Sequence, residues 1–138
     1  MIVSGSSWRY AVGMPSDQST KFVAIVDDDE SVQNALQDLM EADGLSARCF
    51  GSAEEFLESG LQRRAACLIV DIRMPGMSGL ELQARLKADR FYTPIIFITA
   101  HGDARVRMQA MREGAAEFLV KPFDDQVLLN RVRAALDM

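Results

Sequence analysis

Cysteine is nearly missing from this chain: Cys49 and Cys67 are the only two, and neither belongs to a C-x-x-C pair. That sets aside a disulfide framework and gives thiol-based metal or redox chemistry little support; two buried thiols in reducing surroundings is the plain expectation. An excess of cations is missing too. Fifteen Lys and Arg against 20 Asp and Glu leave a net charge of −5 over 138 residues. A general grip on a phosphate backbone recruits Lys and Arg, so direct nucleic-acid binding by this chain is not expected. No apolar run is long enough to cross a bilayer. The opening M-I-V-S-G-S-S-W-R-Y has neither the basic nor the apolar region of a secretory signal. The expectation is a cytoplasmic chain with no membrane partner. Internal repeats and low-complexity blocks are absent as well.

What is present is one domain's worth of regular pattern behind a Ser- and Gly-rich start. Residues 1–20 read as a mobile arm, with Trp8 as a side chain able to dock on the body or a partner, and 21–138 as the domain. Short apolar runs at Phe22–Val26, Leu45–Phe50, Ala66–Val70, Ile95–Ile98 and Glu117–Val120 read as strands. The first, third and fourth are near-continuous, as strands covered on both faces are. Helical spacing of apolar residues follows each: Ser31–Ala42, a helix opened by a capping box at Ser52-Ala53-Glu54-Glu55, Gly79–Ala88, Asp103–Glu113, and about Asp124–Leu136. Five β-α units in a row predict a parallel sheet with helices on both faces and right-handed crossovers. In such a sheet the ligand site lies beyond the carboxyl ends of the strands.

Those ends carry the chemistry. Asp27, Asp28 and Asp29 follow the first strand, Asp71 the third, Thr99 the fourth and Lys121 the fifth. Three converging carboxylates (Asp27, Asp28 and Asp71) need a cation, and oxygen-only ligands with room for water and phosphate oxygens suit Mg²⁺. Lys121 supplies a point charge for a carboxylate or a phosphoryl oxygen, and Thr99 a hydroxyl. Phosphoryl transfer asks mainly for positioning and charge stabilisation, and a carboxylate can itself be the nucleophile.

Each residue also has a plainer reading. Asp27 to Glu30 as an exposed cluster would favour the next helix's N-terminus, and Asp29 stays undecided between the two. Thr99 alone reads as a satisfied loop hydroxyl and Lys121 alone as a solvated surface lysine. Asp71 is harder to dismiss, since an acid ending so apolar a strand is costly unless paired. The loop Met74-Pro75-Gly76-Met77-Ser78-Gly79 reads as a defined turn with Ser78 as helix N-cap. Lys121-Pro122 is a second constrained turn, at which a cis bond is admissible.

V-D-D-D-E, D-I-R-M-P-G-M-S-G, I-T-A-H-G-D and V-K-P-F, in that order, resemble the receiver domain of two-component response regulators, closest to the FixJ-like branch. The resemblance covers about residues 21–136. It implies an α/β, doubly wound (βα)5 flavodoxin-like domain with strand order 2-1-3-4-5. It also implies that Asp71 is the phosphoacceptor, with Mg²⁺ held by Asp28, by Asp27 through water, by Asp71 and by the backbone carbonyl of Arg73. Thr99 and Lys121 match the residues that contact the phosphoryl oxygens. Thr99 and Phe118 match the switch pair, through which phosphorylation alters the face of the fourth helix, fifth strand and fifth helix. The implied activity is self-phosphorylation and dephosphorylation rather than turnover of a substrate, and the implied partner is a sensor histidine kinase, followed by an output protein or domain. A transient phospho-dependent homodimer and a solvated charged face remain alternatives for the fourth and fifth helices. Arg73 and His101, two residues beyond Asp71 and Thr99, are candidates for setting the lifetime of the acyl phosphate. FixJ-like regulators continue into a DNA-binding domain; this chain stops at Met138, so DNA binding is not carried over.

An enzyme reading competes. Asp27-x-Asp29-x-Ser31 resembles the nucleophile motif of haloacid-dehalogenase-type phosphatases, with Thr99, Lys121 and Asp124-Asp125 in the later motifs. That scheme leaves Asp71 without a part.

Overall fold

The computed structural model describes residues 21–137; the arm expected over 1–20 lies outside them. Five strands, β1 (Phe22–Val26), β2 (Ala47–Phe50), β3 (Ala65–Asp71), β4 (Ile95–Thr99) and β5 (Glu117–Val120), form one sheet in the order β2-β1-β3-β4-β5. Every pairing is parallel. The helices are α1 (Glu30–Ala42), α2 (Ala53–Ser59), α3 (Gly79–Ala88), α4 (Ala104–Arg112) and α5 (Asp125–Ala135), with a 3-10 turn at Gln62–Arg64. The doubly wound α/β expectation and its strand order are met.

Side chains of β1, β3 and β4 alternate between two cores, which is why these strands read as continuous apolar runs. Ala24, Val26, Leu68, Val70 and Phe97 pack on one face with Phe56 of α2, Leu82 and Leu86 of α3 and Ala110 of α4. Val23, Ile25, Cys67, Ile69, Ile96 and Ile98 pack on the other with Leu36 and Met40 of α1 and Leu128 and Val132 of α5. The order of the strands reverses between β1 and β3, so the crevice for a ligand opens where Asp27 and Asp71 leave the sheet.

Local chemistry adjusts several boundaries. The second strand starts at Ala47 rather than Leu45, because Leu45 closes the end of α1: Gly44 sits at φ 80°, and Leu45 N donates to Met40 O at 2.9 Å. The capping box expected at Ser52 is only half formed. Glu55 N donates to Ser52 Oγ at 3.0 Å, but Glu55 Oε1 accepts from Gly51 N, one residue too early. The complete box stands at Ser78 and Glu81. Cys67 is buried as expected, its thiol pushed up to about 12 by burial. Cys49 is only half-buried, because β2 is an edge strand.

Candidate phosphorylation centre

The site is built from four strand ends, those of β1, β3, β4 and β5, and the turns behind them. Asp27 follows a strand whose five residues are all buried, and is itself fully buried. Its place is fixed by backbone: Asp27 N donates to Phe50 O at 3.1 Å, and Gln33 Nε2 of α1 donates to Asp27 O at 2.7 Å. Of its two carboxylate oxygens, Oδ1 accepts from Asp29 N at 2.9 Å. Oδ2 is buried with no hydrogen-bond partner, and Lys121 Nζ stands 3.8 Å away.

Asp28 and Asp71 complete the cluster. One carboxylate oxygen from each of Asp27, Asp28 and Asp71 lies within 4.8 Å of the others. Asp71, half-buried at the end of β3, accepts from Arg73 N through Oδ1 at 3.2 Å. Burial raises the Asp27 carboxyl from 3.8 to about 6, against the pull of the Asp29 amide, and Asp71 adds to the rise. Burial likewise raises Asp71, opposed by the Arg73 amide and Lys121. Carboxyls held this way resist carrying full charge together. A hard cation is the group that fits: Oδ2 of Asp27 lacks a donor, and the donor set is all oxygen.

Asp29 is resolved. It is the N-cap of α1, its Oδ1 accepting from Ser31 N at 2.9 Å and Ser31 Oγ at 2.7 Å, and these bonds hold its carboxyl below the usual range. That commitment removes Asp29 and Ser31 from a phosphatase motif. Asp124 is likewise spent as the N-cap of α5, accepting from Gln126 N at 2.7 Å. Glu30 is exposed in the first turn of α1, where an acid complements the helix dipole.

The structure brings Asp27, Asp28, Asp71 and Lys121 together and joins Thr99 to them through backbone, since Lys121 N donates to Thr99 O at 2.8 Å. The Thr99 side chain is buried, and its hydroxyl is engaged by its own turn: Oγ1 accepts from His101 N and donates to His101 O, both at 3.2 Å. Phe118 is buried in β5. The Arg107 guanidinium of α4 lies 5.9 Å from the Phe118 ring centre, and its Nη1 donates to Phe118 O at 3.3 Å. Arg73 and His101 are exposed residues of the loops that flank the cluster. The Lys121-Pro122 bond is cis.

Sequence reasoning missed Gln33, Arg107 and two residues that shape the Asp71 loop. A Cβ at Gly79 would stand 2.6 Å from Asp71 O, so glycine alone lets α3 approach the end of β3 this closely. Glu54 reaches the same loop, accepting from Met77 N at 2.9 Å. Neither contact has a local signature.

The response regulator receiver domain family matches residues 23–133 of the chain. Among curated proteins, Nodulation protein W of Bradyrhizobium diazoefficiens is 42% identical over 130 residues, 94% of this chain and 57% of that protein. Transcriptional regulatory protein FixJ of Azorhizobium caulinodans is 43% identical over 114 residues, covering 83% of this chain and 54% of its own length. The chain thus spans about half the length of the curated relatives it matches. Of solved structures, FixJ-N superposes with TM-score 0.77 at 37% identity, covering 85% of this chain and 94% of that one. StyR gives 0.79 at 45% identity, covering 85% and 59%. Among the described residues no helix is long and apolar enough to cross a membrane. With five parallel strands in the order 2-1-3-4-5 and an acid triad at their carboxyl edge, the chain belongs to the receiver-domain family of two-component response regulators.

Proposed function

We propose that this domain is a phosphorylation switch that accepts a phosphoryl group on Asp71 from the phosphohistidine of a sensor kinase. The observation that carries the reading is the buried, unpartnered Oδ2 of Asp27 beside two further carboxylates and Lys121. Asp27, Asp28, Asp71 and the carbonyl of Arg73 are the groups to hold Mg²⁺, which when bound supplies positive charge to the carboxylates and to phosphoryl oxygens.

The chain's own residues do the rest. A carboxylate oxygen of Asp71 attacks phosphorus; the P–N bond breaks, and its electron pair stays on the imidazole nitrogen, which takes a proton from solvent. Lys121 releases its weak hold on Asp27 and pairs with a phosphoryl oxygen. Thr99 exchanges its turn hydrogen bonds for a second phosphoryl oxygen. Because Thr99 and Phe118 lie on the neighbouring strands β4 and β5, that move is passed to the α4-β5-α5 face, a shift between two populated states. Arg73 and His101, at the mouth, govern water's access to the acyl phosphate. The output is protein contact, by this domain alone or through a further domain such as the relatives' additional length provides, with a phospho-dependent homodimer as one form of it. The work is done in the cytoplasm, where a kinase's phosphohistidine is presented.

Incubation with Mg²⁺ and acetyl phosphate, followed by peptide mapping of the base-labile adduct, tests the reading. Label on Asp71 supports it. Label on Asp27 with turnover of phosphate esters supports the phosphatase instead, and no label at all rejects both.

A further inference from the structure

Between Asp71 and α3 runs the loop 72–78, which carries the Arg73 carbonyl assigned above to the cation. Its ends are fixed by backbone: Ile72 N donates to Ile98 O at 3.1 Å, and Gly79 N to Ile72 O at 2.9 Å. Ser78 is held by its reciprocal box with Glu81. The middle is tied to a different element altogether. Met77 N donates at 2.9 Å to Oε2 of Glu54, which stands in the first turn of α2, 23 residues earlier.

A second observation points the same way. Gly76 adopts φ +75°, and a Cβ there would stand 2.6 Å from the same Oε2. The Glu54 carboxylate therefore fills the space that a side chain at 76 would take. Its backbone is stiff, since Ala53 and Phe56 on either side are fully buried. Glu54 is a strut between a rigid helix start and the Gly76–Met77 part of the loop, beyond the buried Met74 side chain that anchors the stretch before it.

We propose that Glu54 is a positioning residue of the phosphorylation centre: by accepting the Met77 N–H and closing on Gly76, it presents the Arg73 carbonyl and thereby sets the affinity for the divalent cation. The inference rests on the function proposed above. Its physical basis is preorganisation. A peptide carbonyl that must be immobilised on binding loses conformational freedom, and one already fixed does not. Groups behind the ligands commonly change metal affinity by about tenfold or more for this reason.

The test uses the full chain and four variants, Glu54→Ala, Glu54→Gln, Glu54→Asp and Glu55→Ala. Mg²⁺ is titrated by amide NMR, and the exchange protection of the Met77 amide is read in the same samples without Mg²⁺. Glu54→Ala is expected to bind Mg²⁺ about tenfold more weakly and to lose Met77 protection. Glu54→Gln keeps the acceptor and the length, and is expected to restore both to within about threefold of wild type. Glu54→Asp keeps charge and fold but falls one methylene short, and is expected to behave as Glu54→Ala does. Glu55→Ala, which removes the neighbouring carboxylate from Gly51 N, controls for general loosening of α2 and should leave both readouts unchanged. Wild-type affinity in Glu54→Ala or Glu54→Asp overturns the inference, as does a Gln variant no better than Ala, or equal weakening by Glu55→Ala. Wild-type protein that binds no Mg²⁺ overturns the proposed function and this inference with it. Normal Mg²⁺ binding and Asp71 labelling with no effect at Glu54 overturns this inference alone.

Discussion

Replacing Asp27 by Asn should make the metal-free protein more stable while weakening cation binding at the proposed site. Burial raises the Asp27 carboxyl from 3.8 to about 6. A carboxyl whose folded value exceeds its unfolded value favours the fold when protonated and opposes it when ionised. The opposition is complete above about pH 6 and fades as pH falls from there towards 3.8. At neutral pH a rise of about two units corresponds to about 3 kcal/mol. Asn at this place keeps an Oδ1 to accept the Asp29 N–H, and removes a charge that Asp71 repels. The long contact with Lys121 is already contained in the raised Asp27 value; discounted for solvent screening, a net gain of about 2 kcal/mol is the working figure. For a domain of this size that is roughly 6 °C in Tm. The assay is thermal unfolding in EDTA at pH 7.5 and again at pH 4.5, where wild-type Asp27 is mostly protonated in the fold and the advantage should fall to about a third. In excess Mg²⁺ the order should reverse, because only wild type gains stability by binding. A variant that melts below wild type in EDTA at pH 7.5, or whose advantage is the same at both pH values, refutes the account of the buried orphan oxygen.

Gly79→Ala forces a Cβ to within 2.6 Å of Asp71 O and 3.2 Å of Phe97 Cε1; a cost of about 2 kcal/mol, read in denaturant melts, should accompany slower labelling of Asp71. Arg90, a non-glycine at φ 65° just past α3, occupies a left-handed helix end, so Arg90→Gly should stabilise by about 0.5 kcal/mol or more; an unchanged denaturation midpoint counts against strain there. Asp29→Ala should lower Tm through loss of the α1 cap, yet leave acetyl phosphate labelling of Asp71 at the wild-type rate; lost labelling would return Asp29 to the site. Arg73→Ala and His101→Ala should each change the decay of Asp71-phosphate followed by radiolabel, and an unaltered half-life in both removes them from control of water access.

Much of this molecule was readable in one dimension because burial on both faces leaves a one-dimensional trace. Val23 to Val26 and Leu68 to Val70 have no polar side to show, so parallel strands under two helix layers were the natural reading, and the topology then placed Asp27, Asp71, Thr99 and Lys121 on one edge. Where an acid's role depends on a turn of backbone, the trace is silent. Asp27 and Asp29 are the same residue type two positions apart, and only the extended backbone of Asp29 and its two bonds to Ser31 make one a cap and the other a buried, half-satisfied group. Leu45 reads as strand by hydrophobicity but serves to end a helix, because Gly44 turns the chain back towards Met40. Glu54 was legible only as a helix-start residue, and Gly79 only as the close of a turn. Their roles come from approaches between segments distant in sequence, which no local pattern encodes.

The position of each site residue in the sheet has a consequence for how firmly it is held. β1 and β3 are inner strands, bonded on both sides, while β5 is bonded on one side only and is the least buried of the five. Asp27 and Asp71 therefore leave from strands whose amides are expected to open only with global unfolding, whereas Lys121 leaves from a rim expected to loosen by itself. The acids of the cluster are expected to stay registered while Lys121 and the adjoining Phe118 sample other arrangements. Native-state hydrogen exchange should resolve two tiers, with the amides of β1 and β3 slowest and those of β5 and the start of α5 faster. Such a division lets a small, local free-energy change move one side of the centre without putting the other at risk.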